Sequence, residues 1–333
     1  MKHSSLLVTI NRGGSMESQH QVKAIIVNNL GETLESWGDT HIPVYPRSAI
    51  KAMQTLAMIE AEGHKRFGFT SEEIAICCAS HNGEETHHNT VEAMLSKMGF
   101  TEPDFECGSH WPLRADTSYQ LAASGSKPDQ LHNNCSGKHA GMLALSKILD
   151  CDPKGYVEVD HPVQKAIAQT MADMCEYDYT QASWSPDGCS APTWAIPMYN
   201  LALAFAKFGA PEHLSEARRE ACLTLYNAVV ENPFMVAGTE RYCTDMMNTL
   251  GDRVFLKTGA EGVYVAAIPG LKLAIAIKCE DGATRAAESA MTALLDHVGI
   301  TQGIAEDKLS RFRRPIISNW NKRITGDIVC QLD

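Results

Sequence analysis

The sequence predicts a two-lobed α+β protein in which both chain ends build one antiparallel sheet and a helical lobe is inserted between them. Three observations carry this reading. Apolar strand-like runs cluster near the two termini, and helical periodicities fill the middle. No internal repeat, low-complexity stretch or linker rich in proline or serine divides the 333 residues. A single two-lobed domain is therefore expected, with the sheet lobe at about 1–45 and 250–333 and the helical lobe at about 46–249.

Taken in order, "MKHSSLLVTINRGG" has one lysine, a short apolar run and then polar residues, which reads as a strand and not as a secretory leader. "VKAIIVNN" and "ETLESWGD" continue the strand pattern, punctuated by Gly13–Gly14 and by Asn29–Leu30–Gly31. Helical periodicity follows in "SAIKAMQTLAMIEAEG", "HNTVEAMLSKMG", "GKHAGMLALSKILD", "VQKAIAQTMADMCE" and "LALAFAKFG". Several of these close on a glycine just past the last turn. Strands return in "RVFLKTG", "GVYVAAIPG" and "KLAIAIKCEDG", before a last helix in "ATRAAESAMTALLDHVG".

Composition narrows the function classes. Hydrophobic residues make up 44% and charged residues 21%, as in an ordinary globular chain. A net charge of −11 argues against nucleic acid and anionic membrane surfaces, which attract basic footprints. No apolar run approaches the roughly 20 residues of a membrane span. Eleven cysteines, scattered from Cys77 to Cys330, are expected to be mostly buried, reduced, small hydrophobes in a cytoplasmic protein. Only Cys135 and Cys189 sit in contexts that ask for more.

"YPRSAIKAMQ" places Ser48 and Lys51 three residues apart at a helix start, on one face. The free N–H groups there can stabilise an oxyanion. A serine hydroxyl attacks only when a neighbour takes its proton. A lysine amine can do so only when neutral, and burial or a second cation favours that form. Ser80-x-Asn82 in "CASHN" and Lys257-Thr258-Gly259 in "FLKTG" complete the set. The order Ser-x-x-Lys, Ser-x-Asn, Lys-Thr-Gly is that of the serine β-lactamase and penicillin-binding group. Lys257 is the candidate second cation, bridged through Ser80.

"NNCSGKHAGML" reads as a loop entering a helix, with Asn134 or Ser136 as cap. "SPDGCSAPT" is a tight loop expected to present the Cys189 thiolate. Two thiolates, one nitrogen and an open fourth position suit Zn2+. On ligand chemistry alone His139 is the ordinary nitrogen, while Lys138 would have to lose its proton. Asp187 is a candidate acceptor behind the ligands. His87–His88 read as a solvated helix face, "GSHWP" as packing, and Arg241 in "GTERYCT" as either a carboxylate clamp or a core ion pair.

Jointly, "PRSAIK", "CASHNGE", "NNCSGKHAGML", "DGCSAPT" and "VAGTERYCT" resemble the rhizobial-type L-asparaginases, over nearly the whole chain from "NRGGSMESQH" to "NWNKRITGDI". The resemblance implies a serine-β-lactamase-like fold, a homodimer and hydrolysis of L-asparagine to L-aspartate and ammonia. It implies catalytic pairs Ser48–Lys51 and Ser80–Lys257, and zinc ligands Cys135, Lys138 and Cys189 in place of His139. Arg47, His139 and Asp187 match neighbours of the family's site, whereas Thr258–Gly259 lies nearer the β-lactamase pattern. A zinc amidohydrolase, a penicillin-recognising hydrolase and a non-catalytic amino-acid or zinc-binding module are the rival readings.

Overall fold

The computed structural model describes residues 2–332. In chain order its principal elements begin with strands β1 (Leu6–Arg12), β2 (Ser15–Asn28) and β3 (Thr33–Trp37). Helices α1 (Lys51–Glu60), α2 (Ser71–Ile76), α3 (Glu85–Met98) and α4 (Ser136–Ile148) follow. Next come α5 (Pro162–Cys175), α6 (Met198–Gly209) and α7 (Glu216–Glu231). The chain closes with β4 (Phe255–Gly259), β5 (Val263–Ile268), β6 (Leu273–Cys279), α8 (Thr284–His297) and β7 (Ile324–Gln331). It divides into two compact units: residues up to Ala49 with Ile196–Ala210 and from Met246 onward, and residues Ile50–Ala195 with Pro211–Asp245.

The first unit holds a nine-stranded sheet in the order Ile316–Ser318, β7, β1, β2, β6, β5, β4, with β3 added beside β2. These pairings are antiparallel; only the short strand Lys2–His3 runs parallel, against β3. Both chain ends therefore supply the sheet, as the apolar runs predict. Its register sets Lys257 opposite Val265, Val265 opposite Ala276 and Ala276 opposite Ile25. β4 and β5 are buried along their whole length, which explains why "FLKTG" and "VYVAAI" show no polar alternation. Helix α6 packs on β2, β5 and β6, and α8 packs on β1, β5, β6 and β7. Phe205 and Phe208 of α6 meet Phe255 of β4, with ring centroids 5.7 and 5.1 Å apart. Helix "LALAFAKFG" thus belongs with the sheet.

The second unit is helical. α1 packs against α4, α5 and α7 and is buried from Lys51 to Ile59, polar residues included. A helix surrounded this way has no solvent face, so Lys51, Gln54 and Thr55 must find partners inside. Thr55 Oγ1 bonds the carbonyls of Lys51 at 2.9 Å and Cys77 at 3.0 Å. α2 opens on a reciprocal cap in which Thr70 Oγ1 accepts from Glu73 N at 3.3 Å and Glu73 Oε2 from Thr70 N at 2.7 Å. Its end is pressed against the start of α4. A Cβ on Gly137 would lie 2.2 Å from the Ile76 carbonyl oxygen, so only glycine fits there. No helix of the described residues is long and apolar enough to cross a membrane.

Truncating Phe205, which is fully buried among aromatic rings, is expected to destabilise the protein by about 3–5 kcal/mol through lost burial and a residual cavity. Trp320→Ala, at a fully exposed position, should stay within about 0.5 kcal/mol of the parent. Urea unfolding of both variants checks this, and equal losses would contradict the packing described.

Candidate active site

Lys51 opens α1 directly after the 3-10 turn Arg47–Ile50 and is only 1% exposed. Its Nζ donates to the Ala79 carbonyl, to Ser80 Oγ at 3.0 Å and to Cys135 Sγ at 3.0 Å. The site thus sets three acceptors around this one amine. The Ser80–Asn82 segment is held on both sides by backbone bonds. Ser80 N reaches Val236 O and Asn82 N reaches Ala237 O, each at 2.9 Å, and His81 N reaches Asn134 O at 3.2 Å. Arg241 Nη1 donates to Asn82 Oδ1 at 2.9 Å and to the Ser80 carbonyl at 3.4 Å. Asn82 Nδ2 in turn bonds Glu84 Oε1 at 3.1 Å and Thr239 O at 3.0 Å. Arg241 therefore braces the segment that carries Ser80.

The thiols lie next to this group. Cys135 itself occupies the N-cap of α4, with its N–H bonded to Asn133 Oδ1 at 2.8 Å. The expected caps do other work: Ser136 Oγ bonds the Leu131 carbonyl and Asn134 Oδ1 accepts from Cys135 Sγ at 3.1 Å. One turn on, Lys138 Nζ donates to Cys189 Sγ at 3.0 Å, and the Cys135 thiol is another electrostatic neighbour of that sulfur. Pairing with Cys135, with Lys138 and His139 nearby, holds Cys189 well below the ordinary thiol range despite burial. The same pairing and burial push Cys135 well above the ordinary thiol range. Burial alone would depress the Lys138 amine, but Cys189 and Cys135 outweigh it and keep the ammonium. The loop around Cys189 does not present it to solvent, as expected from its glycine and prolines, but turns it inward to 2% exposure. Bonds from Asp187 N to Ala191 O at 2.8 Å and from Ser190 N to Asp187 O at 2.9 Å close that turn.

Two sulfurs and an amine grouped in the interior, all buried, form a donor set that suits zinc once thiol and amine give up their protons. His139 is placed differently. Its Nδ1 pairs with Tyr156 Oη at 2.7 Å, and its buried Nε2 lies toward Cys189 outside hydrogen-bond geometry. Clusters of three histidine, cysteine or carboxylate donors among the described residues lie elsewhere.

In the sheet unit, Ser48 is half-buried in the turn Arg47–Ile50, where Arg47 adopts a left-handed φ of 50°. Gly259 of β4 lies against this turn. A Cβ there would sit 2.5 Å from Pro46 O and 3.0 Å from Ala49 N. The strand that carries Lys257 and the turn that carries Ser48 thus meet backbone to backbone, which explains the glycine of Lys-Thr-Gly. Lys257 is fully buried, its Nζ bonded to Thr258 O at 2.8 Å.

Histidines correct two expectations. His87 is not on a solvated face; it is buried, stacked between His81 at 4.8 Å and Phe234 at 4.7 Å. Its Nε2 bonds Phe234 O at 3.0 Å, and its Nδ1 accepts from Glu84 N at 3.2 Å. In "GSHWP" the tryptophan is nearly half exposed, and His110 Nε2 instead accepts from Asn134 N at 2.9 Å. His81, overlooked in the sequence, is fully buried between Ser80 and Asn82. Gly83 N donates to its Nδ1 at 3.1 Å, so Nε2 holds the proton and donates to Ser136 Oγ at 2.9 Å. Its one sequence signal is a polar residue between the two polar letters of Ser-x-Asn.

A family model described as L-asparaginase II matches residues 8–330. No curated protein sequence matches the chain. Among solved structures, one titled as a structure analysis of Mglu is similar at 12% identity and TM-score 0.49, over 86% of this chain and 69% of that one. The chain spans 61 to 69% of the length of Mglu chains solved in different forms. A β-lactamase from Mycobacterium bovis aligns at 11% identity and TM-score 0.41, over 83% of this chain and 94% of that one. An octameric penicillin-binding protein homologue from Pyrococcus abyssi aligns at 10% identity and TM-score 0.34, over 94% and 81%.

The buried imidazoles make stability depend on pH. Burial depresses His81 and His87 below the ordinary imidazole range, so the unfolded chain binds their protons first. Their contribution is complete above about pH 6.5 and is lost on acidification, at about 1.4 kcal/mol per pH unit for each. Urea unfolding across that range should show stability falling with pH, and His87→Gln should make the profile shallower. An unchanged profile in the variant would contradict the assignment.

Proposed function

The chain belongs to the L-asparaginase II family and is an amidohydrolase, and from that premise we propose that it hydrolyses L-asparagine to L-aspartate and ammonia through a serine–lysine acyl-enzyme. The observation that carries the reading is Lys51, a sealed amine in hydrogen-bond contact with Ser80 Oγ and Cys135 Sγ, at the head of the helix entered from Ser48. No ordinary core needs such a group.

Ser48 Oγ attacks the side-chain amide carbon while Lys51 takes its proton. Backbone N–H groups at the helix start hold the developing oxyanion. Ser80, coupled to Lys257, returns a proton to the departing ammonia, and water then cleaves the ester to free aspartate. Asn82 and Arg241 keep Ser80 in place, and Arg47 is assigned to the substrate's carboxylate. Cys135, Lys138 and Cys189 would hold zinc, with His139 and Asp187 supporting them; the ion would supply a fixed positive charge that orders the site. The active species is proposed to be a homodimer, and its free thiols fit a reducing cytoplasm.

Ammonia release from asparagine and glutamine tests this. Ser48→Ala is expected to lower kcat by about 10³-fold or more, and Lys51→Met and Lys257→Met by about 10²–10⁴-fold. Full turnover by Ser48→Ala would reject the nucleophile. Chelation should weaken substrate binding and leave serine chemistry running; complete loss would favour the zinc amidohydrolase instead. Covalent labelling by a β-lactam would favour the penicillin-recognising reading.

A further inference from the structure

We propose that His88, Asp129 and His132 form a divalent-metal site of the zinc class, separate from the thiol cluster, that ties α3 to the segment leading into α4. Asp129 Oδ2 lies 3.1 Å from His88 Nε2, and Asp129 Oδ1 lies 2.6 Å from His132 Nδ1. One donor atom from each residue falls within 4.8 Å of the other two. A metal ion that takes ligands at about 2.0–2.2 Å brings neighbouring donors to comparable separations, so small side-chain shifts would admit it.

The carboxylate is oriented in advance. Asp129 Oδ1 accepts from Leu131 N at 3.0 Å and His132 N at 3.3 Å, which fixes the side chain on its 3-10 turn and leaves Oδ2 toward His88. The side chains are 21%, 39% and 13% exposed, so solvent can reach the cluster and complete a coordination shell. Two imidazoles and one carboxylate select zinc-class ions over magnesium or calcium, which prefer all-oxygen shells. The other three-donor cluster, His20, Cys279 and Asp281, is weaker because Arg285 Nη2 stands 3.4 Å from His20 Nε2 and repels a second cation.

The placement gives the site a task. His88 follows the Ser80–Asn82 segment by one turn of α3, and His132 precedes Cys135 by three residues. A Cβ on Gly83 would lie 2.9 Å from His132 O, so the two segments already touch. Metal bound between them would stiffen the two stretches that bring Ser80 and Cys135 to Lys51.

Cobalt(II) titration of the untagged, chelator-stripped full chain tests the proposal, because thiolate ligands give near-ultraviolet charge-transfer bands and a histidine–carboxylate set does not. The wild type should bind an equivalent without thiolate bands. His88→Gln and, independently, His132→Gln should weaken that equivalent by more than about tenfold while any thiolate-type signal persists. Zinc should raise the Tm of the wild type, and the rise attributable to this equivalent should be lost in both variants. Absence of the non-thiolate equivalent in the wild type, or its undiminished binding by both variants, would overturn the site. Failure of the thiol cluster to bind metal would leave this result intact, since the two signals are spectroscopically distinct.

Discussion

A lysine amine sealed from water must spend every N–H it carries on a protein acceptor, and that demand on Lys51 organises the helical unit. Its acceptors come from separate stretches: Ala79 and Ser80 after α2, and Cys135 at the start of α4. Each is held by backbone bonds of its own, Ser80 through Val236 and Cys135 through Asn133. A donor left unpaired at such a depth costs about 1–3 kcal/mol, more when charged. The loops around Lys51 are therefore constrained by the amine as much as by the core.

Cys135 extends the demand one step further. It stands between Lys51 and Cys189, and Cys189 stands between Cys135 and Lys138. Amine, thiol, thiol and amine follow one another in a buried row. A buried Lys138 ammonium would be costly beside neutral sulfurs, and the lowered Cys189 thiol offsets part of that cost. The row also explains why the ten-residue stretch "HNNCSGKHAG" is so dense in reactive groups. Each one answers a neighbour brought in from another part of the chain.

Much of this was legible in the sequence because the relevant signals are local. Strand runs at both ends, glycine-closed helices and the order of the serine and lysine motifs are read from short windows, and the sheet from both termini follows from them. What escaped depends on distant partners. His87 sits on a helix with charged and polar neighbours, and its burial comes from Phe234 and His81, which no window around it contains. The inward turn of Cys189 is likewise invisible in "SPDGCSAPT", whose glycine and prolines describe a loop without saying which side is wet. The cap of α4 misled for a related reason. Ser136 and Asn134 are good cap residues, but Ser136 Oγ is taken by the Leu131 carbonyl and by His81 from a distant stretch, and Asn134 Oδ1 by Cys135 Sγ.

The motifs themselves divide into letters that carry functional groups and letters that make room. Lys138 and Lys257 bring buried amines, whereas Gly137 and Gly259 bring no side chain and are fixed just as firmly. Without a Cβ at 137, α4 can approach the end of α2 closely enough for Cys135 to reach Lys51. Without one at 259, β4 can lie on the turn that holds Ser48. A Cβ at either place would collide with a backbone oxygen, and backbone cannot swing aside as a flexible side chain can. These side chains are thus placed by main-chain contact, and the glycine in each motif is the physical condition under which its lysine reaches its position.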